Sequence, residues 1–135
     1  MMQVIRNARE MVADMMPELK PAAYVFCAGG DRDWAALAPL AMFREAKGVS
    51  LILEVEAARA AGFSVDAPMA MITLNVYSAL DGVGLTAAVA TALAKAGIAC
   101  NMVAALNHDH VFVPSERREE ALAVMLALQA TATAP

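Results

Sequence analysis

The chain has 135 residues, 60% of them hydrophobic and 5% aromatic, with a formal net charge of −4. That length holds one ordinary domain, or two very small ones sharing a core. The Lys and Arg residues are scattered and form no basic stripe, which argues against nucleic-acid binding, and the few aromatics leave no platform for stacking bases.

In residues 2–16, Val4, Ile5, Ala8, Met11, Val12 and Met15 fall at helical spacing, with Arg6, Arg9, Glu10 and Asp14 between them. This is an amphipathic helix rather than a secretory leader, so a cytoplasmic protein is expected. Pro17 and Pro21 close the helix and start an extended segment, and residues 22–27 read as a buried strand. After a turn at Gly29-Gly30-Asp31, Asp33 is placed to cap a short helix that ends before Pro39. Residues 41–45 and 50–55 read as strands joined by a Lys47-Gly48 turn, and residues 56–61 as a short helix ended by Gly62.

Residues 69–77 alternate Ile72, Leu74 and Val76 with Thr73, Asn75 and Tyr77, which predicts a strand with one wet or partner-facing side. A turn at 78–82 leads into a helix over 83–96, with Leu85, Val89, Ala92, Leu93 and Ala96 inward and Gly97 ending it. Residues 98–106 and 110–113 read as a hairpin about a tight turn at 107–109. A last helix runs from Pro114-Ser115 to about Gln129, with Leu122, Met125 and Leu128 inward. The longest apolar run, 82–94, falls short of the roughly 20 residues a spanning helix needs, and Lys95 stops it. No membrane partner is expected.

The order β-α-β-β-α therefore occurs twice, over residues 22–61 and 69–129. A ferredoxin-like unit is β-α-β-β-α-β, so each half lacks a last strand. An exchange supplies both: the strand at 69–77 completes the first unit, and the strand at 22–27 completes the second. The expected fold is α+β: tandem βαββα units, with antiparallel sheets carrying helices on one face. The divisions are an N-terminal helix (1–17), a first unit (18–66), a second unit (67–130) and a frayed tail (131–135).

Ile72 to Ala90 (ITLNVYSALDGVGLTAAVA), Ala96 to Ala104 (AGIACNMVA) and His108 to Pro114 (HDHVFVP) resemble a family of short bacterial proteins with tandem ACT domains. Pro21 to Phe26 and Met42 to Gly48 share the resemblance, which extends over residues 11–128. It implies a ferredoxin-like fold, pairing of two copies, and binding of an amino acid or similar small carboxylate. The site it implies joins the loop Leu80, Asp81, Gly82, Val83, Gly84, Leu85 and Thr86 to a neighbouring strand.

The residues of that loop make the chemistry concrete. Helix-start N–H groups lack internal partners and suit a carboxylate, while glycines let a ligand approach the backbone. Asp81 faces the ligand's ammonium group, or else caps the helix while the glycines merely make the turn. Asn101 interrupts an apolar strand, so it bonds a ligand, a second subunit or a nearby loop. His108 and His110 share a face if both are extended. With Asp109 from the turn they could supply three ligands, the count of a catalytic zinc site, which leaves a metal-dependent enzyme using His108 and His110 as the remote alternative to a hairpin in which Asp109 orients an imidazole. Cys27 and Cys100 read as buried free thiols. Ser78, Cys100, His108 and Asp109 form no catalytic motif, and Gly29-Gly30 lacks the lysine of a phosphate loop. We expect no enzyme activity and no cofactor.

Overall fold

A computed structural model of the chain describes residues 7–77 and 79–134. The expected helix start at residues 2–6, and Ser78, lie outside the described residues. Two compact units are formed, one from Pro21–Met69 and the other from Met1–Lys20 together with Ala70–Pro135. The units do not divide by the expected exchange: residues 70–77, expected to complete the first half, group with the second. The segment that crosses to join the second half ends at residue 20, and residues 21–28 stay with the first half.

The Pro21–Met69 unit holds the larger part of β1 (Pro17–Ala28), then a 3-10 helix (Trp34–Leu37), β2 (Ala41–Glu45), β3 (Gly48–Glu54) and α2 (Val55–Ala60). Strand order is β2-β3-β1, antiparallel throughout, with Val25 opposite Leu53 and Met42 opposite Leu51. Val25, Leu51 and Leu53 sit on one face and bury Ala58 of α2, with Trp34, Leu37 and Phe63 packed around them. Asp33 caps the 3-10 helix by accepting from Ala36 N at 3.4 Å. Arg32 lies 4.7 Å over the Phe63 ring and donates to Ala61 O, which closes the chain after α2.

The other unit contains α1 (Ala8–Ala13), the start of β1, β4 (Met69–Leu74), α3 (Leu85–Lys95), β5 (Asn101–Ala104), β6 (Asp109–Pro114) and α4 (Arg118–Thr133), the last after a 3-10 turn at Ser115–Arg117. Its strand order is β1-β4-β6-β5, and β5 and β6 pair antiparallel with Asn101 opposite Phe112. Helices α1, α3 and α4 pack on one another over the core of Met11, Met15, Ile72, Leu74, Val89, Leu93, Val111, Val113 and Met125. The inward positions of α3 are those its spacing demanded: Leu85, Val89 and Leu93 are buried.

Side chains tie the ends of these helices to their neighbours. Arg9 donates to Ala132 O and Ala134 O at the C-terminus of α4, and Gln129 returns a bond to Ala13 O at the end of α1. Cationic groups belong at helix C-termini, where carbonyls point out. Arg117 does the same for α3, donating to Gly97 O at 2.7 Å and Ala96 O at 3.1 Å. Between α1 and β1 the chain reverses at Met16, whose φ of 42° is left-handed. Asn75 holds the reversal through Met15 O, Met16 O and Glu18. Lys20 and Asn75 together hold the Glu18 carboxyl below its ordinary range.

Several boundaries differ from the sequence expectation. β1 begins at Pro17 because a proline is tolerated as the first residue of a strand. β4 ends at Leu74 and has no wet side: Thr73 is only 3% exposed, its hydroxyl satisfied by His110. β5 starts only at Asn101, although Ile98 before it is buried in the core. α4 runs to Thr133, so the described part of the expected frayed tail is mostly helix, with Thr131 and Thr133 bonding back to Leu128 O and Ala130 O.

Candidate functional site

The loop from β4 to α3 is shaped by two close approaches of α1. A Cβ on Gly84 would lie 2.6 Å from Ala8 Cβ, and Gly84 has φ +112°. A Cβ on Gly82 would meet Ala79 O at 3.0 Å and Met11 Sδ at 3.3 Å. The glycines therefore let α1 approach, a use the sequence reading did not include. Helix α3 starts at Leu85 rather than Val83, and its N-cap is Gly84. Asp81 is not the N-cap residue, and the glycine that is brings no side chain to the first-turn amides.

At this helix start lies a cavity of about 110 Å3. Leu80, Gly82, Gly84, Leu85 and Thr86 line it from the loop and α3. Ala79, Met11 of α1, Ala104 at the end of β5 and Asp109 at the start of β6 complete the wall. Asp81 and Val83, both exposed, are not among the lining residues. Neither is Asn101, which sits exposed on β5. Sequence reasoning missed Met11, Ala79, Ala104 and Asp109. The signal for Asp109 was present: an acid beside an apolar run, at 8% exposure the one buried carboxylate among the described residues.

The two histidines are engaged by the protein itself. His110 Nδ1 lies 3.0 Å from Thr73 Oγ1, and His108 Nδ1 lies 3.3 Å from Val76 O. The His108 ring also rests against Tyr77, with centroids 4.6 Å apart. Burial lowers the His110 pKa, helped by His108 and Lys20 and opposed by Asp109. Among the described residues, no three His, Cys, Asp or Glu gather to hold a metal. Cys27 and Cys100 are half-buried free thiols, and burial pushes the pKa of each up, away from the reactive thiolate. No helix among the described residues is long and apolar enough to cross a membrane.

Strands and helices in this order, with antiparallel sheets and helices packed on them, define an α+β ferredoxin-like protein. Residues 4–70 and 66–126 each match a family model described as an ACT domain, and the chain belongs to that family. It is 45% identical to a Vibrio cholerae protein of unknown function, described as a possible transport protein, with a TM-score of 0.79 over 87% of this chain and 92% of that one. A protein from Agrobacterium tumefaciens is similar at 16% identity and a TM-score of 0.60, covering 79% of this chain and 81% of the other. The regulatory subunit of aspartate kinase from Thermus thermophilus shares the fold at 14% identity and a TM-score of 0.57, over 88% and 97% of the two chains. No curated protein matches.

Proposed function

We propose that this chain is a regulatory module that binds an amino acid or a similar small carboxylate at the start of α3. The observation that carries the reading is the cavity there, bounded by first-turn residues of a helix on one side and by Asp109 on the other. Helix-start N–H groups carry partial positive charge and favour a carboxylate. Asp109, rather than Asp81, stands in the wall where it can face an ammonium group. Membership of the ACT-domain family, and a fold shared with aspartate kinase regulatory subunits, support a regulatory rather than a catalytic role.

Such a module acts by mass action. A ligand that binds only the folded or paired form stabilises it, by about 2.7 kcal/mol at 100 times its Kd. Two copies are expected to pair, and β5 and β2, which end the strand order, are the edges available for it. A melting scan with each of the twenty amino acids at millimolar concentration tests the proposal. A rise of several degrees with at least one of them is expected, and no rise with any would defeat it.

A second reading has its own observation. Leu80, Val83 and Leu106, which lie in the loops that follow β4 and β5, are 72%, 80% and 78% exposed. Large exposed apolar side chains mark interaction surfaces. A ligand-free interaction module would leave the melting scan flat and lose partner binding on Leu106→Asp.

A further inference from the structure

We infer that the outer face of α4 is an interface between two copies of this chain, laid antiparallel across a two-fold axis. From Ala121 to Thr133 the helix carries no Asp, Glu, Lys or Arg. A surface helix normally turns charged and polar residues away from the core. Here Ala123, Leu126, Ala127 and Ala130 are the exposed residues of the middle turns, Leu126 at 49%. None of them serves the core, into which Ala121 and Met125 point.

Glu119, Ala123, Leu126 and Ala130 follow one another at intervals of four, three and four, the spacing of helices that pack along a seam. The row sets one large side chain among small ones. With two copies antiparallel, Leu126 of each stands over the partner's Ala123, and the small neighbours let the helices approach closely. Helix α4 is 16 residues long, about 24 Å. A contact one helix wide and of that length falls below about 1,200 Å2 in total, the weak and reversible class.

Charge at the two ends of the face identifies its occupant. Arg9 is fixed at the C-terminal end by its bonds to Ala132 O and Ala134 O. At the N-terminal end Glu119 is exposed and has no ion-pair partner among the described residues. Its neighbours are engaged within the chain: Glu120 is held by Arg117, and Arg118 turns back to Ser115 O. A second copy laid antiparallel brings Arg9 of each copy toward the partner's Glu119, and sets the two helix dipoles in opposition. A parallel copy would place Glu119 against the partner's Glu119, like charge against like. Complementary charges of this kind fix orientation more than they add affinity. The pairing does not depend on a ligand at the start of α3, and a pair joined at the β2 or β5 edge is a different dimer.

Sedimentation equilibrium of the unaltered chain, Leu126→Glu and Glu119→Lys tests the pairing, with circular dichroism to follow folding. The unaltered chain should form a dimer that dissociates on dilution. Glutamate is a good helix former at a position exposed in the single copy, so Leu126→Glu should stay folded while its dimer weakens by about a hundredfold or more. Glu119→Lys should weaken the dimer by about threefold to tenfold. A monomer at every concentration overturns the inference, and so does a folded Leu126→Glu as dimeric as the unaltered chain, which would leave the sheet edges as the contact. Should Leu126→Glu fail to fold, Glu119→Lys decides: an unchanged or tighter dimer overturns the antiparallel pairing.

Discussion

Replacing Gly84 with alanine probes the packing that builds the loop. The new Cβ would sit 2.6 Å from Ala8 Cβ, and the residue would keep a φ of +112° that L side chains rarely adopt. Backbone strain of this kind costs about 1–3 kcal/mol, and overpacking about 1–3 kcal/mol more. A loss of about 3 kcal/mol is therefore expected, which lowers Tm by roughly 10 °C in a domain of this length. Calorimetric melting of four proteins separates the two terms: wild type, Gly84→Ala, Ala8→Gly and the double variant. Ala8→Gly alone should cost about 1 kcal/mol, as glycine does in a helix. The double variant removes the clash but keeps the strained φ, so it should be more stable than the sum of the single losses by about 1–2 kcal/mol. Strict additivity, or a Gly84→Ala protein within about 0.5 kcal/mol of wild type, would refute the claim that α1 rests on this glycine.

Arg117→Ala should destabilise by about 1–2 kcal/mol, because it strips charged donors from Ala96 O and Gly97 O at the end of α3. Glu120→Ala, which removes only the exposed partner of that arginine, should cost under about 1 kcal/mol; chemical denaturation compares the two. Met125→Ala opens the core and should cost about 2–5 kcal/mol, against about 0.5 kcal/mol or less for the exposed neighbour Leu126→Ala. The lowered His110 pKa makes stability pH-dependent. The unfolded chain takes up its proton first, so stability should fall as pH drops below about 6.5 and level off once the folded protein is protonated too. Urea midpoints at pH 7 and pH 5 should differ less in His110→Gln than in wild type.

What the sequence disclosed were the features written in local pattern. The inward stripe of α3 and the bounds of β2 follow from spacing and from turn residues on either side, and the structure has Leu85, Val89, Leu93 and Ala41–Glu45 where those signals put them. Polarity misled where a hydroxyl was satisfied inside. Thr73 looked like a wet position, yet a bond to His110 lets it be buried. Pro17 does close the helix and start extended chain, but β1 takes in residues 17–21 ahead of the strand expected at 22–27. In the candidate site, the loop residues were legible because they are contiguous. Met11 and Asp109 were not placed there, since only tertiary packing brings α1 and β6 to the start of α3. For the same reason the meaning of Gly82 and Gly84 as a seat for α1 was hidden.

An isotope-labelled sample titrated with an equimolar mixture of the twenty amino acids, and followed through its backbone amide resonances, puts the central claim to the most direct trial. Binding at the start of α3 predicts that the amides of Gly82, Gly84, Leu85, Thr86 and Asp109 move together and saturate. Unmoved resonances, or changes gathered instead around Glu45 to Ser50, would contradict it.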